Sequence, residues 1–487
     1  MTRRLIDRLA WAMLLACVCT WRGAGAATPV PLPDWLAQQE QQSWQHMLEN
    51  ISPREPKRPG EQPPLPGIVV GALQKKDPDY YFHWVRDSSL VMHAAADAFA
   101  LRRPYASRSL FERQFTDFLT LTERLQALPS KYGLGEPRYT VNGELDSLPW
   151  SRPQFDGPAL RALAVVDFLR AAETAYLARP DLEALATTVL QTDLDFVASV
   201  WNQRGFDAWE ELVADSYHTR LVQLAALEQG ADWLERHGAP AERVARYRDV
   251  AQRLEPLLDD HWDPTRGFLR SQLAVVATDG YTAKKTDLDV EVIVAVVDAD
   301  RNSAAHSVLD DRVQASVAVF EDLFRSSYPI NRRSDVGLGY GRYAGDVYYG
   351  GNPWVFITAD FARFYYRLAA RLEAGASVAV TARNAAFLRS AMPESTWTEL
   401  KPGTGLSPGS ALHREAIAGF TRKADRIMMR LQLSTPADGQ LYEQIDKRTG
   451  RPASSRGIGW SHAAFLDAVY ERARLAPKAA AGSAAPR

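Results

Sequence analysis

The chain has 487 residues and a formal net charge of −2, with 46% hydrophobic and 24% charged residues. That composition is ordinary for a globular protein with a sizeable core. Without a basic surplus, nucleic acid and an anionic membrane surface are both excluded as natural partners.

The first 26 residues read as an export signal. Arg3, Arg4 and Arg8 form a basic region, Leu9 to Cys19 a short apolar run, and Ala24-Gly25-Ala26 a cleavage site. The run is too short to span a bilayer, and no later stretch is long and apolar enough to do so. Both cysteines, Cys17 and Cys19, lie inside this signal, so the mature chain carries no disulfide. A second reading makes Leu14-Leu15-Ala16-Cys17 a lipoprotein box, with a lipid anchor at Cys17. Either way the expected location is periplasmic or secreted, with no membrane span, and the expected state is a monomer.

A helix is predicted over 33–51. The stretch 52–66 is rich in Pro and charge and cannot continue it, so residues 27–66 are set apart from the rest of the chain. From there helical spacing dominates. Helices are predicted near 86–102, 108–126, 181–200, 241–259, 306–326, 354–372, 377–391, 411–431 and 459–474. Two more begin after Gly157-Pro158 and after the Asp215-Ser216 cap. Strand-like alternation is scarce. Roughly a dozen paired helices with no break between 67 and 476 predict an all-α domain, an (α/α)6 barrel, followed by a flexible tail over 477–487. An open solenoid shares this periodicity, but no fixed-period repeat is present.

The chemistry-bearing residues fall in the long connections. Segment 79–87 packs Tyr80, Tyr81, Phe82 and Trp84 ahead of Arg86-Asp87; a capped helix start with a surface ion pair would account for the dipeptide but not for the aromatics. Segment 131–161 is an irregular Gly/Pro loop carrying Trp150, Arg152, Gln154 and Asp156. Segment 205–211 ends in Trp209-Glu210-Glu211, where two acids near a helix start also suit the helix dipole. A carboxyl beside an indole is the arrangement that keeps an acid protonated by desolvation. Segment 341–354 holds Arg342 and the turn Gly350-Gly351-Asn352-Pro353-Trp354. Segment 442–462 holds Glu443 and Trp460. One carboxyl in each of two distant loops is the minimum for acid/base hydrolysis of a glycosidic bond, and aromatic faces with Arg and Asp suit a sugar. Nothing points to a metal or a cofactor: there is no HExxH and no DxDxDG.

In order, the blocks GIVVGALQKKDPDYYFHWVRDSSLV, KYGLGEPRYTVNGELDSLPWSRPQFDGPALRA, WEE, GRYAGDVYYGGNPW and YEQIDKRTGRPASSRGIGWSHAAFL resemble the glucoamylases, inverting exo-acting α-glucosidases. The resemblance runs from about Gly67 to about Tyr470. It implies an (α/α)6 barrel whose pocket removes glucose from the non-reducing ends of α-1,4-linked oligo- and polysaccharides. It carries the general acid to Glu210 and the general base to Glu443. It carries substrate binding to Tyr80, Trp84, Arg86, Asp87, Trp150, Trp209, Glu211, Arg342, Trp354 and Trp460. Dextran- or trehalose-type cleavage on the same fold remains open, as does a non-catalytic carbohydrate-binding regulatory protein, which would need no acid/base pair.

Overall fold

A computed structural model describes residues 30–53, 63–276 and 284–475. The export signal with Cys17, most of the Pro-rich stretch and the tail over 477–487 lie outside these described residues. In chain order the α-helices are α1 (Leu32–Asn50), α2 (Val85–Ala100), α3 (Arg108–Gln126), α4 (Asp156–Thr174), α5 (Pro180–Val200), α6 (Tyr217–Arg236) and α7 (Ala241–Asp259). They continue with α8 (Glu291–Ala299), α9 (Asp311–Ser327), α10 (Val355–Glu373), α11 (Ala385–Ala391), α12 (Ala411–Ser434) and α13 (Gly459–Arg474).

Six of them close a ring: α2 packs on α4, α4 on α6, α6 on α8, α8 on α10, α10 on α13, and α13 back on α2. The other long helices lie outside, each against its neighbours in the ring. This is the (α/α)6 barrel expected from the sequence. Small residues let the ring tighten. Gly157 at the start of α4 faces Val85 at the start of α2, where an added Cβ would sit 2.9 Å from the valine Cβ.

The two layers differ in pattern for a physical reason. Outer helices such as α3 bury one stripe, Phe111, Phe115, Phe118, Leu119 and Thr122, and leave the rest polar. Inner helices are covered on every side. Every residue of α8 is buried, and its sequence EVIVAVVDA has no polar face to mark a 3.6-residue period. The spacing of apolar residues therefore predicts no helix there. It also begins the next one at 306, whereas α9 starts at Asp311, where the Asp310 side chain accepts the Arg312 backbone N–H. The helix expected over 377–391 is a short strand, Val378–Ala379, paired with Gly405–Leu406, followed by α11 alone.

Helix α1, which the sequence set apart with the Pro-rich stretch, packs on α13 and α12 and completes the outer layer. Trp44 and Met47 enter the common core. The reason is the apolar stripe of α1 itself, which Pro-rich composition further along does not alter. The same end of the barrel collects the connections that lead from an outer helix into an inner one. These are residues 63–84, 127–155, 201–216, 260–276 with 284–290, 328–354 and 435–458. The inner helices thus point their N-termini into one group of loops.

Trp44 is 3% exposed. Trp44→Ala is expected to cost about 3–5 kcal/mol of stability through lost burial and a residual cavity. Urea unfolding checks this; an unchanged midpoint would mean that α1 is not part of the cooperative core.

Candidate active site

Those loops surround a cavity of about 690 Å3. Tyr80, Trp84, Arg86, Asp87, Trp150, Trp209, Glu210, Glu211, Arg342, Trp354, Glu443 and Trp460 all line it. The structure thus gathers these twelve residues, from five separate stretches of chain, into one pocket, while Arg152, Gln154 and Asp156 are not among its lining.

Glu210 sits at the crest of a tight turn, Asp207 to Leu212, that joins two short paired strands, Gly205–Phe206 and Val213–Ser216. Its φ is +65°, in the left-handed region that non-glycine residues avoid. Holding a residue there costs on the order of 1–3 kcal/mol and requires surrounding support. The support is visible. The Glu210 N–H donates to the Asp207 carbonyl at 2.9 Å. Ser151 Oγ donates to the Glu210 carbonyl at 2.7 Å. Asp207 Oδ1 accepts the N–H of Glu211 at 2.7 Å and of Leu212 at 3.2 Å.

The turn aims the Glu210 carboxyl at a set of N–H groups. Oε1 accepts from Trp84 Nε1 at 3.1 Å and Gln154 Nε2 at 3.0 Å, with the Arg86 guanidinium at 3.5 Å. Oε2 accepts from Trp150 Nε1 at 2.8 Å. The sequence reading placed Glu210 against Trp209. Instead Trp209 turns its indole N–H away to Asp289, 3.0 Å from each carboxylate oxygen. Glu210 meets indole N–H edges rather than an indole face, because adjacent residues in the turn point to opposite sides.

Glu443 lies on the hairpin formed by Tyr442–Ile445 and Pro452–Arg456. Its Oε1 accepts from Tyr80 OH at 2.7 Å, and its Oε2 from Ser454 Oγ. Tyr80 and Tyr348 share a 2.5 Å hydrogen bond between their hydroxyls. The hairpin is tied to the Gly350–Trp354 turn by Ile445 N–H to Pro353 O at 2.8 Å and by Asn352 Nδ2 to Gln444 Oε1 at 3.0 Å. Burial pushes the Glu443 carboxyl above the ordinary glutamate value, while the Ser454 and Tyr80 hydroxyls and Arg342 oppose the shift.

Arg86 and Asp87 open α2. Arg86 donates from one nitrogen to Asp156 Oδ2 and Gln154 Oε1, each at 3.0 Å. Burial works against its charge, but Asp156, Asp87 and Glu210 outweigh it and raise its pKa. Burial lifts Asp87 to about 6, against the pull of Arg86 and with a push from Glu210. Arg342 bridges Glu211 at 2.9 Å and Asp346 at 2.7 Å, and Tyr343 OH donates to Glu211 at 2.8 Å. Burial raises Glu211 as well, with Arg342 opposing. Trp209, Trp354, Phe356 and Trp460 form a continuous aromatic wall, with Phe356 and Trp460 stacked at 3.9 Å.

Several residues of the site escaped the sequence reading. Arg138 lies 3.5 Å from the Trp150 ring centre and 4.9 Å from that of Trp84, clamped by Asp146 at 2.8 Å. Tyr348 and Ser454 serve Glu443, whereas Gln154, which the sequence does single out, serves Glu210. Arg138, Tyr348 and Ser454 all fall inside the blocks that stood out as sequence, but their roles depend on which side chains the fold turns toward them. Neither spacing nor composition marks them.

The model of the family described as glycosyl hydrolases family 15 matches residues 41–470. A glucoamylase of Blastobotrys adeninivorans is 29% identical over 434 residues, covering 84% of this chain and 68% of its own. Glucoamylase P of Amorphotheca resinae is 30% identical over 489 residues, covering 98% of this chain and 76% of its own. Among solved structures, the family 15 glucoamylase from Hypocrea jecorina superposes with a TM-score of 0.78 at 28% identity, covering 91% of this chain and 72% of that one.

Proposed function

The chain belongs to family 15 of the glycosyl hydrolases and is an exo-acting glucan 1,4-α-glucosidase that releases glucose with inversion; we propose that Glu210 is its general acid and Glu443 its general base. The observation that carries this reading is that the two carboxyls share one sugar-sized pocket but hold different partners. Glu210 has indole, amide and guanidinium N–H donors. Glu443 has hydroxyl donors.

The division of labour follows from those partners. Oε1 of Glu210 is occupied by Trp84, Gln154 and Arg86, whereas Oε2 meets Trp150. Oε2 is therefore the oxygen that carries the proton to the glycosidic oxygen. As the bond from that oxygen to the anomeric carbon breaks, the leaving hydroxyl takes the proton and Glu210 becomes a carboxylate. The four N–H groups then stabilise the charge that has formed, which is where preorganised donors are most effective. Water adds to the anomeric carbon from the other face and passes its proton to Glu443. Burial makes Glu443 a stronger base than a free glutamate. The hydroxyls of the terminal sugar are assigned to Arg86 and Asp87, and its apolar face to the wall of Trp209, Trp354 and Trp460. Tyr80, Trp84 and Trp150 orient the two carboxyls and close the pocket. Glu211, held by Arg342, is assigned to the next sugar.

Glu210→Gln and Glu443→Gln are each expected to lower kcat by ~10²–10⁴-fold with the fold retained. Maltotriose hydrolysis with circular dichroism as a control checks both; wild-type kcat in either would remove that residue from its role. The sign of the pH effect is fixed by the direction of the Glu443 shift. Below its pKa the base is protonated and inactive, so kcat/KM rises with pH, with a midpoint above the ordinary glutamate value of about 4.3. An acid limb below that value would contradict the assignment.

Export is also proposed, supported by Arg3, Arg4 and Arg8 ahead of an apolar run and by Ala24-Gly25-Ala26. Among the described residues no helix is long and apolar enough to cross a membrane. N-terminal sequencing of the natural product is expected to begin near Ala27. A start at Cys17 would mean a lipid anchor, and a start at Met1 no processing.

A further inference from the structure

Behind the catalytic turn lies a buried group of charges that the mechanism does not use. Asp207, Asp289 and Glu291 are fully buried, and the Lys284 side chain is buried among them. The Lys284 ammonium pairs with Asp289, stands 3.7 Å from Asp207, and lies 4.9 Å from the centre of the Tyr343 ring.

Each carboxylate in turn grips the backbone or indole of the turn. Asp207 accepts the N–H of Glu211 and Leu212. Asp289 accepts the Trp209 indole N–H. Glu291 Oε1 accepts the Ala208 N–H at 3.3 Å and the Ser216 hydroxyl at 2.7 Å. The residues on both sides of Glu210 are thus held by acids contributed in part by a distant segment, 284–291. Glu210 itself is held in a conformation it would otherwise leave.

Three carboxylates this close repel one another, and a buried charge without a partner is unstable by several kcal/mol. Burial already lifts Glu291 to about 7 and pushes Asp207 up. Lys284 is the cation that touches both Asp207 and Asp289; burial opposes its charge, and those two acids overcome the opposition. We propose that Lys284 is the positioning residue of the catalytic turn: its ammonium holds Asp207 and Asp289 together, and they fix Trp209 and Glu210. This rests on Glu210 being the acid.

Lys284→Ala is expected to reduce kcat on maltotriose by about 10²-fold, as a displacement near 1 Å does, with KM changed less than about threefold. Ethylammonium, but not potassium chloride at equal ionic strength, should restore at least about tenfold by occupying the vacated site. Lys284→Met keeps the packing without the charge and serves if the alanine variant does not fold. Its defect should deepen as pH rises. Asp207, Asp289, Glu291, Glu211 and Tyr343 surround the site on the acidic side, and His218 and Arg342 are cations that act on Glu291 and Glu211 respectively. Each proton lost there therefore adds repulsion with no ammonium to offset it. Wild-type kcat in either variant, or a loss that no amine restores and that is equal at all pH values, overturns the proposal. Glu210→Gln measured alongside separates the two readings: activity retained there defeats the acid assignment, whereas activity retained only in the Lys284 variants defeats this one.

Discussion

The return of α13 onto α2 is the contact on which the rest of the molecule depends. It joins the last helix among the described residues to the first of the ring and so converts a row of helix pairs into a closed barrel. Gly459 makes the approach possible. Its N–H donates to Gly71 O at 2.9 Å, and a Cβ there would lie 3.2 Å from Val91. The inner faces are lined with Ala94, Ala95, Ala463 and Ala464, which carry almost no bulk. Closure delivers chemistry as well as packing. It brings Trp460 to 5.8 Å from Arg86 and lets Tyr80, near the start of the barrel, hydrogen-bond Glu443, near its end. An open solenoid of the same helices would leave Glu210, ahead of the third inner helix, far from Glu443, ahead of the sixth.

A second constraint is electrostatic. The inner helices are buried all round, yet they carry Asp156, Arg161, His218, Asp298, Arg363 and Asp467. Such charges persist only in pairs or chains. Arg86 links Glu210 to Asp156, Arg161 takes Asp193, and Arg363 takes Asp298 and Asp467. These pairs are weak evidence for net stability, since desolvation offsets much of their attraction. What they do supply is direction: Arg86 is held between Asp156 and Gln154 and so presents its remaining nitrogens to the pocket. The strained turn at Glu210 works in the same way. Its support comes from groups that are themselves fixed by the barrel, so the Glu210 carboxyl is aimed in advance.

The sequence made the outer layer legible because each outer helix keeps a polar face, as α3 and α12 do. Inner helices with capped starts, such as α6 after Ser216, were legible too. Helix α8 was not, since burial on all sides erases periodicity. In the pocket, the residues of the aromatic wall and the two carboxyls sit in distinctive aromatic and acidic blocks and could be found by those blocks. Residues that act through another residue could not. Lys284 is one lysine in a polar stretch, and Ser454 one serine of two; their meaning lies in how the fold turns Lys284 to Asp289 and Asp207 and Ser454 to Glu443. The expected pairing of Glu210 with Trp209 failed for a local reason, because a tight turn sends neighbouring side chains apart and leaves Trp84 and Trp150 to meet the acid.

The central claim is that proton donation and water activation belong to different carboxyls. α-Glucosyl fluoride separates them, because fluoride departs without a proton donor while water must still be activated. The rates of Glu210→Gln and Glu443→Gln on this substrate and on maltose make the test. The account predicts that Glu210→Gln, crippled on maltose, keeps most of its activity on the fluoride, whereas Glu443→Gln is crippled on both. Equal losses on both substrates for Glu210→Gln, or wild-type fluoride hydrolysis by Glu443→Gln, would contradict it.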